Sequence, residues 1–179
     1  MKIEKLPDGF SLRSGGIELL RHTAARPMLS LARADFHYTS RNGQHPVKNK
    51  VVDWTPLPGF ELGENSIRLF AGDLSLTLIL DPQADGVILD LVLPDGFNYA
   101  RLGLPAAPGE AVYGGGMQFS HLNLRGRRYP IWTCEAGVGR NKRHLATILA
   151  DLIAGAGGDY WTTYNPQPTF PQVQTGRLF

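Results

Sequence analysis

Two runs, residues 74–80 and 87–93, are apolar at every second place: Leu74, Leu76, Leu78 and Leu80 in one, Val87, Leu89, Leu91 and Leu93 in the other. This pattern constrains the fold more than any other feature of the chain. Successive side chains of a strand point to opposite faces, so a period of two gives each run one face for a core. Residues 66–71 alternate in the same way and end at a Gly72-Asp73 turn, and residues 82–86 have turn composition. Upstream, residues 10–13 and 17–21 flank Ser14, Gly15 and Gly16, which reads as a hairpin. Residues 28–32 begin a strand after Pro27. Residues 51–55 form another before Pro56 and Pro58, whose missing donors argue for a sheet edge or an exit. Residues 99–104 follow, entered through Pro94, Asp95 and Gly96. Residues 38–49, with Asn42-Gly43 and His45-Pro46, read as a loop whose interior has the composition of a disordered stretch. Strands of this length with no helix between them predict a mainly β chain built as an antiparallel sandwich.

One helix is predicted, over residues 145–154, from good helix formers with Gly155 set to stop it. Ala111, Val112 and Tyr113 read as a further strand. The small-residue and proline stretch from Pro105 to Gly109 marks a change from plain sheet to functional loops, and the whole of 1–179 is read as one domain. At 179 residues, 42% of them hydrophobic and 19% charged, the chain can bury one sizeable core. A (β/α)₈ barrel needs about 250 residues and alternating strand and helix patterns, so none is expected here.

The formal net charge of +2 does not by itself imply nucleic acid. A single cysteine, Cys134, rules out an internal disulfide and fits a reducing compartment. The first residues lack an apolar signal core, and no window approaches the ~18 apolar residues of a membrane span. The expectation is a soluble cytoplasmic protein with no membrane contact.

Residues 112–170 differ in character. Between Tyr113 and Lys142 lie three adjacent glycines (Gly114, Gly115, Gly116), four arginines (Arg125, Arg127, Arg128, Arg140), the Tyr129-Pro130 pair and Trp132. A second polar and aromatic run starts at Gly157 and closes on Asn165, Pro166, Gln167, Pro168, Thr169 and Phe170. Such mixtures suit irregular backbone that positions polar groups, because Gly permits positive φ and close approach while Arg and Trp supply planar contact surfaces.

Over residues 113–116, 124–133, 135–141 and 165–170 the chain resembles the N-terminal domain of glycoside hydrolase family 31, and within it the bacterial sulfoquinovosidases. The resemblance is dense over about residues 112–171 and thin over residues 10–57. It implies a galactose mutarotase-like β-sandwich whose long loops lean over a catalytic (β/α)₈ barrel that is not in this chain. Both catalytic carboxylates of the family lie in that barrel, so no catalytic residue is assigned. By the same resemblance Glu135 occupies the place of an acidic residue that meets the aglycone side of the pocket. Family members usually carry Glu where this chain has Met117, so a polar anchor toward the barrel is replaced by an apolar side chain. Relatives also continue beyond the counterpart of Phe179, so the domain is expected to be incomplete at that end and prone to associate through an unpaired strand edge.

Each candidate has a plainer alternative. The glycines at 155, 157 and 158 close a helix instead of opening one, so they are punctuation and not a phosphate cradle. Six basic residues (Arg125, Arg127, Arg128, Arg140, Lys142, Arg143), interleaved with Tyr129 and Trp132, can track phosphates and stack on bases. In an otherwise balanced chain a solvated loop face or a contact for acidic partners is the better account. The five histidines lack metal-ligand spacing, so no metal or cofactor is expected. Glu135 can equally be a surface ion-pair partner of Arg127 or Arg140. Retaining glycosidases use two carboxylates about 5–5.5 Å apart, and the dense region offers only Glu135, Asp151 and Asp159. Three functions stand at this point. One is a non-catalytic domain that lends loops to the sugar pocket of a barrel in cis or on a separate chain. The second is a free carbohydrate-binding module in which Trp132, Trp161 and Tyr160 stack on sugar faces while Arg128 or Arg140 meets an anionic group. The weakest is a nucleic-acid binder.

Overall fold

Alternation in the sequence becomes antiparallel sheet in the computed structural model, which describes residues 1–38, 47–84, 86–117, 121–127, 143–154, 165–170 and 172–173. Strands β1 (Lys2–Leu6), β2 (Gly9–Ser14) and β3 (Ile17–Thr23) form one sheet in that order. The β2–β3 hairpin turns on Gly15 and Gly16, whose φ angles of 55° and 83° give both central residues the left-handed backbone that a tight hairpin requires. A second sheet has the order β10-β4-β5, from β4 (Leu29–Tyr38), β5 (Val47–Pro56) and β10 (Tyr99–Leu102). The third is a meander of β6 (Gly59–Leu62), β7 (Ser66–Ala71), β8 (Leu74–Gln83) and β9 (Gly86–Leu91). Two short strands, β11 (Ala111–Val112) and β12 (Gln172–Val173), pair with each other, and α1 spans Leu145–Ala154.

The chain divides into two compact units, one of Met1–Asp35 with Asn49–Pro105, the other of Phe36–Lys48 with Ala106–Phe179. The passage from Pro105 to Ala106 lies where the composition changes from plain sheet to loops.

In the first unit the apolar positions of three sheets meet in one core. Phe10 and Leu12 come from β2, Leu20 from β3, Leu29 and Leu31 from β4, Ile67 and Leu69 from β7, and Leu76, Leu78 and Leu80 from β8. The residues between them, Arg68, Thr77 and Ile79, are exposed, as a period of two demands. This is the antiparallel sandwich expected from the sequence. Leu57, between the two prolines, is also buried, and its N–H donates to the Leu29 carbonyl at 3.1 Å, so the chain leaves β5 without stranding that group. Immediately before β10, Asn98 extends the pairing with its side chain: Oδ1 accepts from Ala34 N–H at 2.8 Å and Nδ2 donates to the Ala34 carbonyl at 2.9 Å.

His22 sits wholly buried in this core, stacked on Phe10 at 5.1 Å and edge-on to Phe60 at 5.5 Å. Its Nε2–H donates to the Pro58 carbonyl at 3.1 Å, and its Nδ1 accepts from Met28 N–H at 3.4 Å. Those two partners select the neutral Nε2–H tautomer. Burial pushes its pKa below the ordinary value, against a smaller opposing pull from the Pro58 carbonyl. The structural reading of a lone histidine holds for this one.

Several boundaries differ from the sequence expectation. Strand β4 runs on to Tyr38 and β5 begins at Val47, so the expected 38–49 loop is shorter at both ends. Strand β8 continues through Pro82 to Gln83. Proline is tolerated there because β7 pairs with β8 only as far as Ile79, leaving Pro82 opposite β9 alone. Strands β1 and β6, mixed in charge or short, carry too little alternation to be read from sequence. Helix α1 has the bounds expected of it.

Candidate functional site

The candidate site lies in the second unit, where the two motif runs are joined through their backbones. Strands β11 and β12 align Ala111 with Val173 and Val112 with Gln172. Farther along, Gly115 N–H donates to the Thr169 carbonyl (3.1 Å), Gln167 N–H to the Gly115 carbonyl (3.4 Å) and Met117 N–H to the Asn165 carbonyl (3.1 Å). Gly116 and Pro166 form an antiparallel bridge. A step of four positions from Val112 to Gly116 is therefore matched by a step of six from Gln172 back to Pro166, and the register has to slip between them. Gly114, Gly115 and Gly116 absorb the slip with φ angles of 109°, 80° and 88°. Gly116 has a second constraint: a Cβ there would run into the Asn165 carbonyl and the Gln167 amide. Positive φ and close approach, the two properties expected of this run, are both used.

The start of the arginine run is latched to the same strand. Asn123 Oδ1 accepts from Val112 N–H at 3.1 Å and from Arg125 N–H at 3.0 Å, closing an Asx turn against β11. Leu124 is buried and donates its N–H to the Val112 carbonyl at 2.7 Å, and Arg127 N–H donates to the Leu124 carbonyl at 2.9 Å. Arg125 reaches back with Nη1 to the Glu110 carbonyl at 2.7 Å, while the Glu110 carboxylate, itself buried, accepts from Ala107 N–H. Arg125 thus fastens the turn, a structural task. Asn123 and Glu110 were not singled out in the sequence, although an Asn two residues before an Arg-Gly pair has the composition of such a turn.

Met117, the position at which the family resemblance implies Glu, stands half out in solvent. The residues proposed for substrate contact, Trp132, Glu135, Arg140 and Trp161, lie outside the described residues, as do Arg128, Tyr160, Asp159 and Cys134. Among the described residues, no group of three or more His, Cys, Asp or Glu side chains comes together to hold a metal ion. Nor is any described helix long and apolar enough to cross a membrane.

Comparison with known proteins gives this geometry a context. No protein-family profile matches the sequence. The chain is 34% identical over 173 residues to the sulfoquinovosidase of Agrobacterium fabrum and 34% identical over 174 residues to that of Escherichia coli K12. These matches cover 95% and 93% of this chain but 26% of each relative. A family 31 sulfoquinovosidase from E. rectale, solved with an aza-sugar inhibitor, superposes with a TM-score of 0.80 at 31% identity, over 96% of this chain and 26% of that one. The chain is therefore similar, along nearly its whole length, to about a quarter of a family 31 sulfoquinovosidase, and its sheets match the N-terminal β-sandwich of that family.

Proposed function

We propose that this chain is a single non-catalytic domain of a cytoplasmic family 31 retaining α-glycosidase of sulfoquinovosidase type, which lends loops to the sugar pocket of a (β/α)₈ barrel supplied in cis or by a separate chain. The observation that carries the reading is the closure at Met117 and Asn165. Pairing of 115–117 with 165–169 ties together the two ends of the segment that holds Trp132, Glu135, Arg140 and Trp161. A segment whose two ends are tied together through the backbone can be presented as a unit to a neighbouring body. In this reading the Arg140 guanidinium meets an anionic sugar substituent through paired N–H donors, Glu135 accepts from hydroxyls on the aglycone side, and Trp132 and Trp161 stack on sugar faces. The two carboxylates of the retaining reaction belong to the barrel.

The test is a chimera in which the matched stretch of the E. coli sulfoquinovosidase is replaced by residues 1–179. The expected outcome is hydrolysis of an aryl α-sulfoquinovoside, with KM raised about tenfold by Arg140→Ala, as loss of a charge-assisted hydrogen bond implies. A folded chimera indifferent to Arg140 and Glu135 substitution would remove the proposed contacts. Calorimetry on the lone chain separates the binding-module alternative, which requires affinity for the free sugar that Trp132→Ala and Trp161→Ala abolish.

A further inference from the structure

Helix α1 is built inside out. Leu145, Ile148, Leu149, Leu152 and Ile153 recur at the spacing that puts them on one face of a helix, the stripe that normally seals a core. All five are exposed, at 68, 41, 47, 76 and 79%. The opposite side carries Thr147, fully buried, with Ala146, Ala150 and Asp151 half-buried. Five exposed large aliphatics on ten residues amount to roughly 500 Å² of apolar surface, near the top of what a monomer leaves bare.

We propose that this stripe is where a second copy of this chain docks, the two α1 helices packing antiparallel about a twofold axis. The inference is independent of the glycosidase reading. Three observations favour a copy of α1 as the occupant. The stripe carries no charged residue, so apposing two of them buries no charge and brings no like charges together. The helix has no acidic residue in its first turn and no basic residue in its last, which leaves its macrodipole uncompensated by its own side chains. An antiparallel neighbour sets carbonyl end beside amide end and compensates both. Arg143, just ahead of the helix, adds to the preference for orientation: parallel pairing would set the two residues side by side, while antiparallel pairing about Leu149 separates them by about 18 Å along the axis. Two stripes together remove roughly 1,000 Å² from water, the lower limit for a specific interface. The dimer is therefore weak and reversible, with dissociation in the micromolar range.

Sedimentation velocity on the full chain, over about two decades of micromolar concentration, reads this directly. The average mass is expected to rise from 19.6 kDa toward twice that value. The double substitution Leu152→Asp and Ile153→Asp should raise the dissociation constant about thirtyfold or more, since a carboxylate would be buried in the contact, while leaving the melting midpoint of the dilute monomer unchanged. In a Cys134→Ser background, Leu149→Cys at the stripe's centre should cross-link to itself with a short bismaleimide. Leu145→Cys should link to Ile153→Cys and not to itself. A monomer at every concentration, association that the double substitution leaves intact, or equal self-linking at 145 and 149 would each overturn the proposal. A chain that stays monomeric and buries the stripe only when a catalytic barrel is added would assign the surface to that barrel instead.

Discussion

Strand β8 and helix α1 carry the same number of large aliphatics, five each, and treat them in opposite ways. In β8, Leu76, Leu78 and Leu80 are buried to 4% exposure or less, within the core that also takes Phe10, Leu31 and Leu69. In α1 every one of the five faces outward while Thr147 is buried. Strand β8 buries its alternating apolar face, and helix α1 leaves its apolar stripe bare. Apolar side chains therefore have different parts in the two elements: in β8 they stabilise the unit that holds them, and in α1, on the proposal above, they form the contact for a second copy. Removing side chains from each tests that division.

The largest contrast should come from paired truncations. Leu78→Ala is expected to cost about 3 kcal/mol in urea unfolding, the usual range for a buried leucine. Leu152→Ala in dilute solution should stay within about 0.5 kcal/mol. A large cost at Leu152 would mean that α1 belongs to a core, and the distinction between the two elements would fall. Next in size is Gly116→Ala, which combines positive φ with a clash at the Asn165 carbonyl and should cost about 2 kcal/mol. Amide exchange sharpens that experiment: Met117 and Gln167 N–H should speed up, while Leu78 N–H keeps its protection. Loss of protection everywhere would show that the two units open together.

Asn123→Ala removes the acceptor for two backbone donors and should cost about 1–2 kcal/mol, again with faster exchange at Val112 and Arg125 only. The smallest effect is a pH dependence confined to the first unit. The His22 pKa is lowered on folding, so the unfolded chain binds the proton more tightly. Stability is then full above 6.5, the ordinary value for the group, and falls as pH drops from there toward the folded pKa. Protonating Nδ1 would also turn the acceptor of Met28 N–H into a donor. A slope of at most about 1.4 kcal/mol per pH unit is expected, and His22→Phe should abolish it. A slope that survives the substitution would place the titrating group elsewhere.

Much of the first unit was legible because a strand with one buried face writes its own alternation. Residues 66–71 and 74–80 needed nothing beyond the period, and Gly15-Gly16 and Gly72-Asp73 marked their turns. Strand β1 was not legible: Lys2, Glu4 and Lys5 leave Ile3 and Leu6 too sparse to signal a face. Strand β12 consists of two residues paired with a segment some sixty positions away, a contact no local pattern announces. The glycines at 114–116 announced positive φ, yet not the register slip they serve, because that slip depends on where 165–172 docks. The stripe on α1 was visible as helical, and its exposure was not, since periodicity gives a face without saying which way it points. Arg125 read as part of a basic surface and turned out to be a structural latch, because its partner is a main-chain carbonyl that carries no residue-type signal.

The proposed function rests on one claim, that this polypeptide furnishes sheets and loops while the bond-breaking carboxylates lie in another body. The most direct measurement is release of the aryl group from an aryl α-sulfoquinovoside by the purified 179-residue chain, monitored alongside the E. coli relative. The account predicts a rate indistinguishable from the buffer blank for the chain alone. Turnover above that blank, lost on substitution of any carboxylate within this chain, would contradict it.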